Sequence, residues 1–327
     1  MTRARLQARV RLLRQGGAAL LLAMIVVALV ASLAAAALWR QWRGVEVESA
    51  ERARVQSAWI LTGALDWGRL ILAGDAREST TDNLSEPWAM PLAEARLSTF
   101  LAAGDSSSGT DRDAFLSGQI TDLQSRLNVM NLLVGDRTQA QQRFARLFNS
   151  LGLPASELAT LSNGLSRADA AMKAGNPPSG DAPLLPRRFE QLAWLGLAPE
   201  TLQALRPYVT VLPASTAIVP VNLNTASAQV LYAALPGIDL AGAQQLVAQR
   251  DRAPFQNTQA AATLLNLTQP DLSWASVQSS YFEIRGRLRL DDVALQEIAV
   301  VRRQGTSVVT LWRERAALGD MVAAPGG

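Results

Sequence analysis

The sequence contains no cysteine and no histidine among its 327 residues, and Lys173 is its only lysine. Without cysteine there is no disulfide framework, no thiolate nucleophile and no sulfur ligand for a metal. Without histidine, the commonest general base and the commonest transition-metal ligand are missing as well. Any enzyme built from this chain would depend on carboxylates, on a serine–lysine pair or on a cofactor. We predict no catalytic residue and no enzymatic activity.

Acidic residues are absent from the first 45 positions, where five arginines precede an uncharged apolar stretch from Gly16 to Leu38. A helix of this length would span about 35 Å, compared with about 30 Å for the hydrocarbon core of a bilayer. A secretory signal peptide has a shorter apolar region followed by a break in hydrophobicity, and no such break follows here. The sequence therefore predicts a single membrane-spanning helix with a cytoplasmic N-terminus and an exported body.

Proline is absent between positions 18 and 86, and the helical spacing of apolar residues continues beyond Arg40. This pattern predicts one helix from about Ala18 to Ala73, with its first half in lipid and its second half amphipathic against a soluble domain. The alternative is a membrane helix followed by an independent helix, with the break at Gly44 or Gly63.

Five of the eight tryptophans lie in the first 90 residues. Trp39 and Trp42 occupy the position where the helix would leave the membrane, as in an interfacial aromatic belt. Trp59, Trp67 and Trp88 are predicted to belong to the core.

The rest of the chain changes from turns to helices and then to strands. Turn residues dominate 74–118, and residues 118–129 alternate as in a strand or hairpin. Residues 131–275 are predicted to form short helices separated by glycine, proline and asparagine. A three-strand meander is then predicted over 281–290, 295–303 and 307–313, with Gln304-Gly305-Thr306 as a hairpin loop.

The order of these elements predicts an insertion. A lone hairpin at 118–129 would be marginally stable in water. It becomes stable if it joins the C-terminal meander in one sheet packed on the long helix, and the helical residues between them are then inserted. A long N-terminal helix that carries an antiparallel sheet is the pilin architecture.

The residues Arg14-Gln15-Gly16-Gly17, followed by AALLLAMIVVALVA, resemble a type IV prepilin leader. In such leaders a peptidase cuts after the glycine and the new N-terminus is methylated, so the resemblance implies processing between Gly17 and Ala18. On the leader alone, the alternative remains that Gly17 merely precedes an anchor. Major pilins carry glutamate at the fifth mature position, which is Leu22 here. Lack of this glutamate marks the minor pseudopilin K family of the type II secretion system, which the chain also resembles in ALDWGRLIL, DNLSEPWAMPL, QITDLQSRLNVMNLL, VNLNTASAQVLYAALPGIDLAGAQQLVAQRD and SSYFEIRGRLRL.

The resemblance implies an α+β fold. A long N-terminal transmembrane and amphipathic helix would pack on an antiparallel sheet, with a large inserted all-α domain that contains helix-hairpin-helix or SAM-like repeats. The predicted parts are a prepilin leader (1–17), a transmembrane helix (18–39), an amphipathic helix with a loop and the first strands (40–130), the inserted α-domain (131–278), the C-terminal β-meander (279–315) and a disordered tail (316–327).

Leu22 carries the assembly argument. In the family's assembly, the glutamate at this position pairs within the membrane with the free amine of the neighbouring subunit ahead, because a buried unpaired charge is costly. A subunit without this acid needs nothing above it, which fits the tip of the pseudopilus. The resemblance implies a tip subunit in the inner membrane with a periplasmic body. Its implied partners are the minor pseudopilins of the I, J and H classes, the major pseudopilin, the prepilin peptidase and the inner-membrane assembly platform.

Residues 221–251 also resemble a helix-hairpin-helix module, which membrane-anchored DNA receptors of competence systems carry; such a receptor is the alternative function. In DNA-binding examples the hairpin reads PGIG, and its backbone N–H groups hold a phosphate. Here Ile238 is followed by Asp239, which repels phosphate. Residues 219–278 contain two basic residues, Arg250 and Arg252, and three aspartates, so the net charge is −1 where phosphate binding requires a basic surface. We therefore expect no nucleic acid partner.

Calcium is the only cofactor that the resemblance suggests, since the K family is associated with calcium sites in the α-domain. Asp105, Asp111 and Asp113 form an acidic loop in GDSSSGTDRD and are the candidate ligands. Calcium takes six to eight oxygen ligands, and no EF-hand loop is visible. A solvated turn is the favoured interpretation, so no cofactor is predicted.

Overall fold

The computed structural model describes residues 3–97, 114–174, 183–213, 216–268, 270–290 and 293–317, without the side chains of 3–16, 293, 316 and 317. Two compact units are present, one up to Trp59 and the other from Ile60 onward. Their helices are α1 (Arg3–Glu78), α2 (Arg137–Ser150), α3 (Ala155–Lys173), α4 (Pro199–Leu205), α5 (Ala228–Ala234), α6 (Leu240–Arg250) and α7 (Thr258–Leu264). The strands are β1 (Leu92–Arg96), β2 (Ala114–Asp122), β3 (Leu127–Asn128), β4 (Val209–Thr210), β5 (Val221–Asn222), β6 (Ala275–Ser276), β7 (Tyr281–Leu290), β8 (Val293–Gln304) and β9 (Ser307–Ala317).

Helix α1 confirms the prediction of one long apolar helix, and it continues without interruption through Gly44 and Gly63. It is longer than predicted at both ends, because arginine and leucine before Gly16 favour helix and the first proline is Pro87. By length and composition, it contains one stretch able to cross a membrane. Every side chain described from 17 to 50 is exposed.

The amphipathic half of α1 begins later than predicted. Val45 and Val55 are exposed, and burial starts only near residue 57. Trp88 is buried as predicted, but the same prediction was wrong for Trp59 and Trp67, which are 73% and 47% exposed. Periodicity alone does not show where along a long helix the packing partner begins.

One antiparallel sheet has the strand order β1-β2-β7-β8-β9. Strand β2 pairs with β7 although the helical residues separate them in sequence, as the insertion argument predicted. Of the strand or hairpin predicted over 118–129, the strand is present up to Asp122, as the end of β2, and the hairpin alternative was wrong. The chain leaves the sheet after Asp122, whose side chain accepts a hydrogen bond from the backbone N–H of Gln124, and β3 then pairs in parallel with β4. Strand β1 was missed, since its five residues lie in a stretch rich in turn residues.

The sheet buries its apolar face against α1. Leu65 and Leu72 of α1 form one cluster with Phe282 and Ile284, and Leu61 forms another with Leu116 and Leu288. At Gly286, a Cβ atom would lie 3.4 Å from Leu61, so this glycine permits the close approach of α1. The alternation predicted for 281–290 is present from Phe282 onward, whereas Tyr281 is buried as well.

Between β2 and β7 lies the helical block, residues 127–276. It has one continuous apolar core, which includes Phe144, Leu147 and Phe148 of α2 and Leu161 and Leu165 of α3. The short parallel pairs β3–β4 and β5–β6 at its margins were not predicted.

Candidate functional site

The predicted processing and assembly residues lie in α1. Gly17 and Ala18 are exposed, and Leu22 is 66% exposed. An apolar side chain that is exposed on a helix of this length is suited to contact with lipid or with another apolar helix. The roles of these three residues remain predictions.

The candidate metal ligands Asp105, Asp111 and Asp113 lie outside the described residues. In the described part of the helical block, most acidic side chains already have protein partners. Two cap helices: Asp136 accepts from the backbone at the start of α2, and Asp239 does so at the start of α6. Others form ion pairs: Asp169 with Lys173, Glu190 with Arg206, Asp251 with Arg250 and Asp271 with Arg143.

A group of three carboxylates that the sequence did not predict lies where α1 meets the sheet. Oxygen atoms of Asp75, Asp82 and Glu86 lie within 4.8 Å of one another. Arg303, at the end of β8, lies among them. Its Nη1 donates to Asp75 Oδ2 at 2.9 Å, and its Nη2 donates to both oxygens of Asp82 at 2.5 Å.

The electrostatics of this group explain why an arginine lies there. Burial, followed by the neighbouring charges of Glu86 and Asp82, raises the pKa of Asp75 to about 6, against the lowering effect of Arg303. Glu86 accepts from Ser79 Oγ at 2.9 Å and from Trp88 Nε1 at 2.7 Å. The carboxylates are therefore satisfied by N–H and O–H donors. Calcium would need six to eight oxygens, and a guanidinium lies where the cation would bind, so this group does not fit a calcium site.

Asp122, at the end of β2, is the centre of an adjoining buried network. Its Oδ1 accepts from Gln124 N at 2.7 Å, and its Oδ2 accepts from the hydroxyls of Thr225 and Ser279, each at 2.6 Å. Asn222 Nδ2 also donates to Oδ2, at 3.1 Å. Burial raises the pKa of Asp122 to about 6, and the hydrogen bonds from Ser279, Thr225 and Gln124 oppose this shift.

The two networks share Ser279, whose backbone N–H donates to Asp82 at 2.7 Å. Together they tie the end of α1, two strands of the sheet and residues 222–225 of the helical block into one polar joint. We call this group the carboxylate joint: Asp75, Asp82, Glu86, Asp122, Asn222, Thr225, Ser279 and Arg303. The joint is suited to holding these elements in position and not to binding a ligand, since every carboxylate accepts hydrogen bonds from donors of the chain. Sequence reasoning missed it because its members lie far apart in sequence.

The hairpin between α5 and α6 has the local geometry of a turn, with Gly237 at φ +83°. Asp239 Oδ1 accepts from Gly242 N at 2.8 Å and so occupies the helix N-terminus that would hold a phosphate. Arg250 is buried and donates to the carbonyl oxygens of Leu223 and Ala226; burial lowers its pKa. Arg250, a basic residue that could otherwise attract a phosphate, thus binds backbone carbonyls within the fold.

Arg146 of α2 holds the same hairpin from the other side. It donates to the carbonyl oxygens of Tyr232, Leu235 and Ile238 at 2.6 to 3.2 Å, and its guanidinium lies 4.1 Å from the ring centre of Tyr232. The carbonyl groups at the end of α5 therefore have a cationic donor of the chain.

An apolar groove of about 240 Å³ opens between α1, residues 87–92 and β2. Trp67, Gly68 and Ile71 line it from α1, and Met90, which is 65% exposed, lies at its margin. A groove of this kind can receive apolar side chains.

Comparisons with known proteins agree with this architecture. Two models of the family described as type II secretion system, protein K, match residues 221–285 and 125–214. The curated type II secretion system protein K of Pseudomonas aeruginosa is 28% identical over 307 residues, covering 85% of this chain and 86% of that protein. A chain in the crystal structure of the GspK-GspI-GspJ complex from the type 2 secretion system of enterotoxigenic Escherichia coli is similar in fold. The TM-score is 0.63 at 17% identity, over 82% of this chain and 98% of that one.

Proposed function

Since the chain belongs to the type II secretion system protein K family, we propose that this minor pseudopilin starts and caps the pseudopilus that exports folded proteins across the outer membrane. The proposal assigns a structural role and no catalysis. The observation that carries it is Leu22, an exposed apolar side chain at the fifth position after Gly17 on one uninterrupted helix.

The physical argument is electrostatic. A carboxylate within the bilayer is stable only when it is paired, so a subunit that carries one is drawn beneath an existing amine. Leu22 has no such requirement, and α1 can enter the membrane without a subunit above it. The helical block adds bulk to the sheet body, and we infer that it blocks further subunits from adding above.

The proposed partners follow from the relatives. The similar solved chain comes from a complex of GspK, GspI and GspJ. By analogy, we propose that this chain pairs with minor pseudopilins of the I, J and H classes and then with the major pseudopilin, after the prepilin peptidase has cut it, at the inner-membrane assembly platform. The body would lie in the periplasm, because arginines flank the N-terminal end of the apolar stretch.

Processing is tested by mass spectrometry of the chain extracted from membranes. The expected N-terminus is methylated Ala18, and Gly17→Val should keep the leader. An intact Met1 on the wild-type chain would contradict pseudopilin processing.

The tip position is tested by labelling. Because the chain has no cysteine, Arg137→Cys on the exposed start of α2 gives a single thiol for gold labelling and electron microscopy. One label at one end of each fibre is expected. Labels along the fibre would contradict the proposal.

Leu22→Glu tests how the tip position arises. We expect fewer fibres, since the new carboxylate must find an amine above it, whereas Leu22→Ala should initiate normally. Unchanged fibre numbers with Leu22→Glu would remove the electrostatic argument but leave the family assignment intact.

The DNA-receptor alternative is not supported, because Asp239 caps α6 and Arg250 is bound to backbone carbonyls. A gel shift with the detergent-solubilised chain at moderate salt should show no retarded DNA. Tight, salt-sensitive binding would revive the alternative.

A further inference from the structure

Arg126, just before β3, is a half-buried arginine without a contact partner. In the part of the chain that the structure describes, its guanidinium makes no hydrogen bond, ion pair or ring contact. All other described arginine side chains without a hydrogen bond or an ion pair are exposed: Arg40, Arg43, Arg77, Arg137, Arg187, Arg252 and Arg302. Arg126 therefore differs from them, because part of its surface is removed from water.

On the side of the helical block, Arg126 adjoins the end of α4. The backbone N–H of Leu127 donates to Tyr208 O at 2.9 Å, and β3 and β4 continue this pairing. Arg206, two residues before Tyr208, forms an ion pair with Glu190 at 3.0 Å. Arg206 thus already has a carboxylate of the chain.

On the side of the sheet, Arg126 adjoins the outward face of β7, opposite to the face that α1 covers. Arg285 Nη2 donates there to Glu283 Oε1 at 2.8 Å. The charges of both residues act on Arg126, and that of Glu283 acts more strongly. Glu283 is therefore in contact with Arg285 and influences Arg126 only from a distance. We call Arg126, Arg206, Glu283 and Arg285 the Arg126 site.

This environment disfavours a charged guanidinium. Burial has the largest effect and lowers the pKa of Arg126; Arg285 and Arg206 lower it further, whereas Glu283 and Asp122 oppose the shift. A charge that is partly removed from water without a contact partner is costly. An apolar side chain of similar length would fill the same space without this cost. Arg126 is thus unfavourable for the fold alone.

We propose that Arg126 binds one carboxylate from outside the fold, an acidic side chain of a partner protein. A guanidinium presents a planar fork of donors that matches a carboxylate in two-point contact. Arg206 and Arg285 are already paired, so the Arg126 site offers one fork to one carboxylate. The site lies on the body of the chain, and the proposal does not depend on the tip role.

The neighbouring charges favour a carboxylate over a phosphate. Glu283 and Asp122 both act on Arg126, and they would repel the second negative charge of a phosphate. In a protein interface, charges of both signs also fix the register of the partner.

The chain has acidic residues outside the described ranges that could supply the carboxylate themselves: Asp105, Asp111, Asp113, Asp181, Asp291, Asp292 and Asp320. Ala114 pairs with Leu290, whereas Thr121 pairs with Glu283. The residues that adjoin Ala114 and Leu290 in sequence are thus attached about 23 Å along the strands from the Arg126 site. The test must nevertheless show whether Arg126 is already occupied.

The test uses phenylglyoxal, which modifies accessible arginines, on the detergent-solubilised full chain, with mass spectrometry of each arginine. The probes are the capped tripeptide Gly-Glu-Gly, the same peptide with glutamine, acetate and inorganic phosphate, at equal ionic strength. We expect the glutamate peptide to slow modification of Arg126 at least about threefold at a concentration of twice its Kd. Modification of Arg137, at the exposed start of α2, should not change.

Several results would overturn the proposal. If Arg126 is not modified in the free chain, a group of the chain already covers it. Protection by acetate without protection by the glutamate peptide would indicate a site for small anions only. Stronger protection by phosphate, or equal protection by the glutamine peptide, would exclude selection of a carboxylate.

Arg126→Met separates a binding site from a structural arginine. Its midpoint of thermal unfolding should equal or exceed that of the wild type, because a partly buried charge without a contact partner is removed. Arg146→Met, which removes a donor to three carbonyls, should lower the midpoint. The glutamate peptide should stabilise the wild type and Arg137→Met but not Arg126→Met. Equal losses in Arg126→Met and Arg146→Met, or stabilisation of Arg126→Met by the peptide, would contradict the proposal.

Discussion

In the helical block, several arginines are buried or half-buried and donate to backbone carbonyls, whereas on the outward face of β7 the arginines are more exposed. Arg143 and Arg146 of α2 donate to carbonyl oxygens around the end of α5, and Arg250 donates to those before it. Arg287 has only a glutamine partner among the described residues. The same type of side chain therefore satisfies backbone carbonyls in one region and lies at the surface in the other.

The difference follows from backbone hydrogen bonding. The last carbonyls of each helix have no partner within the helix, and short helices such as α5 present many such groups per residue. Buried arginines can satisfy several of them at once. A paired central strand satisfies its own backbone, so the side chains on its outward face are free for other roles.

The carboxylate joint shows a third use of arginine, since Arg303 is buried between two carboxylates. Removing it is the largest perturbation that we expect. Arg303→Met leaves Asp75 and Asp82 without their cation and should lower the free energy of unfolding by about 3–5 kcal/mol. Urea unfolding of the detergent-solubilised chain measures this.

Arg302→Met is the matched control for Arg303→Met. Arg302 is exposed and lies 5.8 Å from the ring centre of Tyr281, so its loss should cost about 0.5 kcal/mol or less. Equal effects of the two substitutions would show that the joint does not stabilise the fold.

The next test asks whether the helical block depends on Arg146, which is half-buried and bound to backbone carbonyls. Arg146→Met removes the donor to three carbonyls and should cost about 2–3 kcal/mol. Arg137→Met, at an exposed position of the same helix, should change the unfolding free energy by about 0.5 kcal/mol at most. If Arg146→Met were as mild, the contrast between the two regions would be wrong.

The pH dependence of stability distinguishes the carboxylate joint from an ordinary ion pair. Burial raises the pKa of Asp122 and Asp75 to about 6, so the folded chain binds protons there before the unfolded chain does. Stability from these groups should therefore rise as pH falls from about 7 to about 4, on the order of 1–3 kcal/mol for Asp122. Asp122→Asn should reduce the dependence of the unfolding free energy on pH between about 7 and about 4.

Asp271 should act in the opposite direction at lower pH. Hydrogen bonding from Ser273, helped by Arg143, lowers its pKa to about 2. Its contribution should be lost as pH falls from about 4 to about 2. Unfolding curves that show stability falling steadily from pH 7 to pH 4 would contradict the raised pKa of the two joint carboxylates.

The smallest effects come from two glycines of α1. A Cβ at Gly68 would lie 2.9 Å from Ile284 Cγ2, whereas a Cβ at Gly63 meets no atom within 4 Å. Gly68→Ala should lower the free energy of unfolding by about 1 kcal/mol through overpacking. Gly63→Ala should raise the free energy of unfolding by about 0.5–1 kcal/mol through helix propensity. If both substitutions raised the free energy of unfolding, α1 would not be tightly packed on the sheet at Gly68.

Much of the architecture was readable in sequence because it depends on local patterns. The alternation in 281–290 predicted a strand and its buried face, and the absence of proline before Pro87 predicted an unbroken helix. The candidate site was harder to predict from the sequence. The carboxylate joint combines residues from 75 to 303, and each carboxylate by itself resembles an ordinary surface acid.

The sequence by itself determined the apolar helix and the alternation of the sheet, because each rests on the order of neighbouring side chains. Only the tertiary structure decided which arginines are buried and which face outward, and which carboxylates share a cation. These outcomes depend on the pairing of β2 with β7 and on the packing of the helical block, which bring together residues far apart along the chain.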